Sequence, residues 1–103
     1  MFIKTILLKV KFGKPIEVLI DKSHYLHKNM QNSLVGTTRN GEKFAVFSIN
    51  LVEEKQNKNE IFIKDYSENS GFMEQLIQHG LISKPKRIIE KEFVDIYVCD
   101  LLK

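Results

Sequence analysis

The pair Asn40-Gly41 restricts the fold of this chain more than any other short stretch. Two residues of this kind favour a type I′ turn, in which both central positions need positive φ. A turn that tight makes its two flanking segments antiparallel neighbours, and both flanks suit strands. Residues 34–38 are β-branched and small. Residues 43–51 set Ala45, Phe47, Ile49 and Leu51 on one face and Phe44, Val46, Ser48 and Asn50 on the other. Both faces are partly apolar, so this segment is expected to be a central strand.

The same pattern recurs along the chain. Leu8-Lys9-Val10-Lys11-Phe12 alternates strictly, Gly13-Lys14-Pro15 breaks it, and Ile16 to Ile20 resumes it, which predicts a hairpin. Asp21-Lys22-Ser23 reads as a turn, His24 to His27 as a short extended piece, and Ile61-Phe62-Ile63 as a short strand. Residues 53–59, EEKQNKN, form a polar loop, and 83–86 a second loop carrying Pro85. Phe93 to Leu101 alternates with apolar residues on both faces and predicts a closing strand.

One segment has helical rather than strand spacing. Phe72, Met73, Leu76 and Ile77 share a face, so a helix is expected over about residues 68–79. Ser67, Asn69 or Ser70 would cap its start. Gly80 would end it in the left-handed conformation, with Leu81 packing back on Leu76. The expectation is a single α+β domain over residues 1–103. It has a largely antiparallel sheet of five to seven strands with one main helix packed on one face.

Composition narrows the function. Hydrophobic residues are 43% and charged residues 28%, the profile of a folded domain. No apolar run is long enough to span a bilayer. Met1-Phe2-Ile3-Lys4 lacks the parts of a signal peptide. The single cysteine, Cys99, excludes an internal disulfide and a cysteine-rich zinc site. A cytoplasmic protein with no membrane partner is expected. The formal charge is +3, from 16 basic and 13 acidic residues, which permits an anionic partner without requiring one.

Catalytic and metal chemistry find little support. His24 and His27 are three apart, but on a strand or turn they point to opposite faces and lack further ligands. Cys99, among alternating apolar residues, reads as a small hydrophobe. Asp65, Glu68, Asp95 and Asp100 suit solvated or capping roles better than paired acid–base work. No phosphate loop, dinucleotide fingerprint or nucleophile elbow is present. No catalytic residue, metal or cofactor is expected, and the chain reads as a non-enzymatic protein.

Two binding readings remain. A protein-binding surface needs aromatic and arginine anchors, and Tyr25, Arg39, Asp65, Tyr66 and Phe72 are the candidates. The alternative is a nucleic-acid module in which Lys9, Lys11, Lys14, Lys84, Lys86 and Arg87 meet phosphates, with Phe12 and Tyr25 near them to stack on bases. Self-association through a strand edge near residues 2–12 or 93–101 is a further option. Asp65 and Tyr66 stand out because helix capping does not demand an acid and an aromatic just ahead of the cap; Tyr66 could act as a hydrophobic staple.

The segments FAVFSINL (44–51), KDYSEN (64–69), GLI (80–82) and FVDIYVCDLL (93–102) carry a resemblance. Over roughly residues 32–102 the chain resembles a set of small uncharacterised proteins of bacteria, phages and integrated mobile elements. Their pattern is a Gly-Glu-Phe-Ala strand entry ending in Asn-Leu, a DYSEN-type run, a short helix ending in Asn-Gly or His-Gly, and a closing strand. The loop 83-SKPKR-87 is more basic here than in that group. The resemblance implies an accessory protein of a mobile element, not an enzyme. Its concrete form would be an inhibitor of a host defence protein that works by occupying it.

Overall fold

The computed structural model describes residues 1–26 and 29–102. Among them are seven strands: β1 (Phe2–Leu8), β2 (Ile16–His24), β3 (Asn32–Thr37), β4 (Lys43–Val46), β5 (Glu60–Lys64), β6 (Arg87–Glu90) and β7 (Asp95–Asp100). A 3-10 turn (Ser67–Asn69) and one short helix, α1 (Phe72–Gln78), lie between β5 and β6. The strands form two antiparallel sheets, ordered β1-β2-β3-β4 and β5-β7-β6, not the one sheet that alternation suggested.

The division comes from the segment expected to run unbroken to Leu51. Its strand ends at Val46, and the chain then crosses between the sheets. Phe47 N donates to Leu34 O at 2.9 Å, while Ile49 N donates to Phe62 O at 3.0 Å and Lys64 N to Phe47 O at 3.1 Å. Ser48 pairs with Ile63 as an isolated bridge. Phe47 and Ile49 thus satisfy their amides on two different strands. The segment feeds two clusters, Phe44, Ala45 and Phe47 the larger and Ile49 and Leu51 the smaller, so both of its faces are apolar.

Other boundaries shift for local reasons. The strand expected at Leu8–Phe12 is not formed: β1 is Phe2–Leu8, and Lys9–Pro15 make a wide connection with Gly13 at φ +95°, while β2 runs straight through the turn expected at Asp21-Lys22-Ser23. At the β3–β4 turn, Gly41 N donates to Thr38 O at 2.9 Å and Thr38 N to Glu42 O at 2.8 Å. Gly41 alone there has positive φ, so this is a turn closed by a glycine bulge rather than type I′. β6 was not anticipated, because RIIE is too short to show alternation. β7 is the centre of its sheet, so residues 93–101 supply no free edge; β6 takes that place.

Two buried clusters hold the fold. The larger joins Ile6, Leu8, Val18, Ile20, Leu34 and Phe47 of the first half to Ile61, Ile63, Phe72, Leu76 and Cys99 of the second. The smaller joins Leu51, Phe62, Ile89, Ile96 and Val98. Sheet β5-β7-β6 is therefore apolar on both faces. Gly36 is where the first sheet packs most closely: a Cβ added there would lie 2.6 Å from Val18 Cγ1 and 3.0 Å from Phe47 Cε2.

Candidate interaction surface

The stretch before the helix shows how a polar run can be consumed by structure. Ser67 and Gly71 both have positive φ, which folds residues 65–71 into a compact loop. Asp65 reaches over this loop, and its Oδ1 accepts from Gly71 N at 2.9 Å and Met73 N at 3.3 Å. It thereby satisfies free amides at the start of α1. The serines and Asn69 do not perform that task. Ser67 Oγ bonds Glu68 Oε2 at 3.0 Å, and the buried Asn69 donates Nδ2 to Val46 O at 2.7 Å. The helix starts at Phe72 rather than near residue 68. Its end is as expected: Gly80 N donates to Ile77 O and Leu81 N to Leu76 O, with Gly80 at φ +73°.

The other candidate anchors are also engaged within the chain. Tyr66 is half-buried and packs against the smaller cluster. Phe72 is buried, with its ring 5.7 Å from Phe44 and 5.8 Å from Phe47. Tyr25 shares a 2.9 Å hydrogen bond with Ser48 Oγ. Burial pushes the Tyr25 hydroxyl above its ordinary pKa, against the opposing effect of the Ser48 bond. Arg39 is exposed in the β3–β4 turn, where its Nε donates to Glu17 Oε1 at 2.6 Å. These five residues do not converge on one surface: Tyr25 and Arg39 follow different strands, and Asp65, Tyr66 and Phe72 surround the helix start.

The basic candidates divide into two groups. Lys86 Nζ lies 2.7 Å from Glu60 Oε2 and 3.0 Å from Asp100 Oδ1, and Arg87 Nη2 lies 3.6 Å from Glu60 Oε1. Glu60 is 3% exposed. Burial works to raise its pKa, but the Lys86 hydrogen bond, the Asn57 amide and the charges of Lys86 and Arg87 outweigh it and hold the carboxyl below its usual value. Lys86 is correspondingly raised, first by its hydrogen bonds to Glu60 and Asp100. Only Lys84 of this group is exposed with no carboxylate partner among the described residues.

Lys9, Lys11 and Lys14 differ. All three are exposed on the β1–β2 connection, and no ion pair among the described residues joins them to a carboxylate. Between them stands Phe12, 90% exposed. The connection is anchored to the helix by a paired contact: Lys9 N donates to Gln75 Oε1 at 2.7 Å and Gln75 Nε2 to Lys9 O at 2.9 Å. Beside that contact is a groove of about 470 Å³, with Val10 and Phe12 on one wall and Gly71, Phe72 and Gln75 on the other. Glu68 also lines it, held below its usual pKa by a backbone hydrogen bond and then by Ser67. Alternation placed Phe12 on a strand face; its position between Lys11 and the Gly13 turn was the available signal that it is a tip residue.

Burial, with the charge of Asp100, pushes the Cys99 thiol up to about 12, so it is no nucleophile near neutral pH. His24 ends β2, and His27 lies outside the described residues, so the His24–His27 spacing has no structural reading. Among the described residues no group of three His, Cys, Asp or Glu is placed to hold a metal ion, and no helix is long and apolar enough to cross a membrane. No protein-family model, curated protein or solved structure is significantly similar to the chain.

Proposed function

We propose that the chain is a non-enzymatic binding protein whose contact site is the β1–β2 tip, with Phe12 as anchor and Lys9, Lys11 and Lys14 as its cationic rim. The observation that carries this reading is the exposure of Phe12 among three lysines that no carboxylate of the described chain neutralises. An exposed aromatic that lines a groove and is ringed by cations has the form of an interface anchor inside a polar rim. The favoured partner is an acidic protein surface. On a phage or mobile element, as the resemblance implies, such a module would act by occupying a host protein in the cytoplasm, a defence component being the concrete case.

The test compares capture from host lysate by the wild type, by Phe12→Ala and by Phe93→Ala, another exposed phenylalanine. A specific partner retained by the wild type and Phe93→Ala, and weakened about 30-fold or more by Phe12→Ala, fits an anchor residue. Equal capture by all three removes the tip from the interaction.

The same tip favours a second reading, because lysines around an aromatic suit a single-stranded nucleic acid that stacks a base on Phe12. Three phosphate contacts to a single strand predict a log–log salt slope of about −2. Oligonucleotide binding that is flat in salt, or unaffected by Phe12→Ala, rules that version out.

A further inference from the structure

The backbone of β1 carries a separate message. Met1 and Lys22 exchange both main-chain bonds, at 2.7 and 2.8 Å, whereas Tyr25 N donates to Gln31 O. Even-numbered residues of β2 therefore face β1 and odd-numbered ones face β3. Lys4, Ile6 and Leu8 pair with Ile20, Val18 and Ile16, so the main-chain groups of Thr5 and Leu7 point out of the sheet. Such an edge invites another strand unless it is guarded.

One guard is present, a bulge between Phe2 and Lys4 at the start of the strand, but Thr5 to Leu8 beyond it run in regular register and carry none. The one lysine inside β1, Lys4, is drawn onto the helix end, where its Nζ donates to His79 O at 2.6 Å. Leu7 is 61% exposed and Phe2 53% exposed. An edge of the other sheet differs: β6 has four residues, with Arg87 and Glu90 at its ends and Arg87 paired to Glu60. At the far end of β1, the Gln75 amide already occupies the main-chain groups of Lys9, which limits any added strand to the residues before it.

We infer that a second copy of this chain adds to the β1 edge, antiparallel and two-fold symmetric, joining two four-stranded sheets into one. The occupant follows from self-complementarity. With Ile6 opposite Ile6 of the second copy, Thr5 faces Leu7 and each exchanges its outward main-chain bonds with the other. Lys4 then lies opposite Leu8 and Lys9 opposite Ile3, so no like charges face each other. Leu7 gains cover from the second copy's Thr5. The ladder is short, so the dimer is weak and reversible. This inference is independent of the Phe12 tip.

Sedimentation equilibrium of the full chain tests it. The expected mass rises from one chain to two as concentration climbs through about 10 μM to 1 mM. Leu7→Lys places a charge on the exposed edge and weakens association at least about tenfold. Thr5→Pro removes an outward amide that β2 does not use, with the same result. Ile88→Lys on β6 changes nothing. Circular dichroism checks that each variant is folded, and Leu7→Lys, altering an exposed side chain, serves if Thr5→Pro is not. A wild type that stays one chain up to about 1 mM overturns the inference and leaves the edge to a different chain. So does a dimer that persists in folded Leu7→Lys, or one that Ile88→Lys abolishes.

Discussion

At the residue scale, two positions show how little freedom the interior leaves. Gly36 sits under Val18 and Phe47, and the Phe47 ring is itself set edge-on to Phe72 at 76°. The ring cannot retreat without disturbing its neighbour. Gly36→Ala should therefore destabilise by about 1–3 kcal/mol through overpacking, read as a fall in Tm of about 4–8 °C per kcal/mol. Glycine in a β-branched run gave no sign of this in sequence, because the crowding comes from β2 and from beyond β4. Asp65 is the second position. Asp65→Ala should cost about 1 kcal/mol by removing the oxygen that Gly71 and Met73 donate to. Asp65→Asn keeps an oxygen in place and should recover most of it in urea titration. Loss of partner binding without loss of stability in Asp65→Ala would instead return this residue to the interface.

At the element scale, the 50–59 connection is held by side chains of β3 and its approach. Gln31 is buried; its Nε2 donates to Leu51 O at 2.8 Å and Glu54 O at 2.9 Å, and its Oε1 accepts from Leu51 N at 2.8 Å. Asn32 Nδ2 donates to Lys58 O at 3.0 Å and Glu60 O at 2.6 Å. These amides do what a strand partner would do for a segment with no ladder of its own. Gln31→Ala should cost about 2 kcal/mol, since it leaves the Leu51 amide unpaired in the interior, while the Leu51 carbonyl keeps only the Glu54 amide. Faster hydrogen exchange at Leu51, with β1 unchanged, would show that the loss is local. Sequence alone gives a polar loop and a neutral glutamine; nothing in their spacing announces the pairing.

At the scale of the whole molecule, the buried Glu60 couples acid stability to the β5-β7-β6 sheet. Its carboxyl titrates below its ordinary value in the folded chain. Its ionised form therefore contributes stability that is present above the ordinary value of 4.5 and lost as pH falls through the lower folded value. Unfolding free energy should drop on acidification below that point in the wild type and drop less in Glu60→Gln. Identical acid profiles would show that Glu60 contributes nothing. Removing Lys86 and Arg87 together should cost about 3 kcal/mol, because a buried carboxylate loses its cations. A triple alanine change at residues 84, 86 and 87 would thus report on folding before it reported on nucleic acid.

Local sequence determined what depends on neighbours along the chain. Alternation marked β2, β7 and the start of β4 but misplaced the first strand, the apolar spacing with Gly80 and Leu81 marked the helix and its Schellman end, and the Asn40-Gly41 turn was in place although its type was not. These are short-range effects of side-chain period and backbone φ. Tertiary structure decided where hydrogen bonds and charges found partners far along the chain. It split the strands into two sheets at Phe47–Ile49, made β6 an edge, gave Lys86 and Arg87 to Glu60, and turned Asp65 into a cap. Phe12, with nothing packed over it, was left at the tip. Pairing partners 20 to 70 residues apart, as in Gln31 with Leu51 and Lys9 with Gln75, leave no periodic trace. Only the folded chain brings them together.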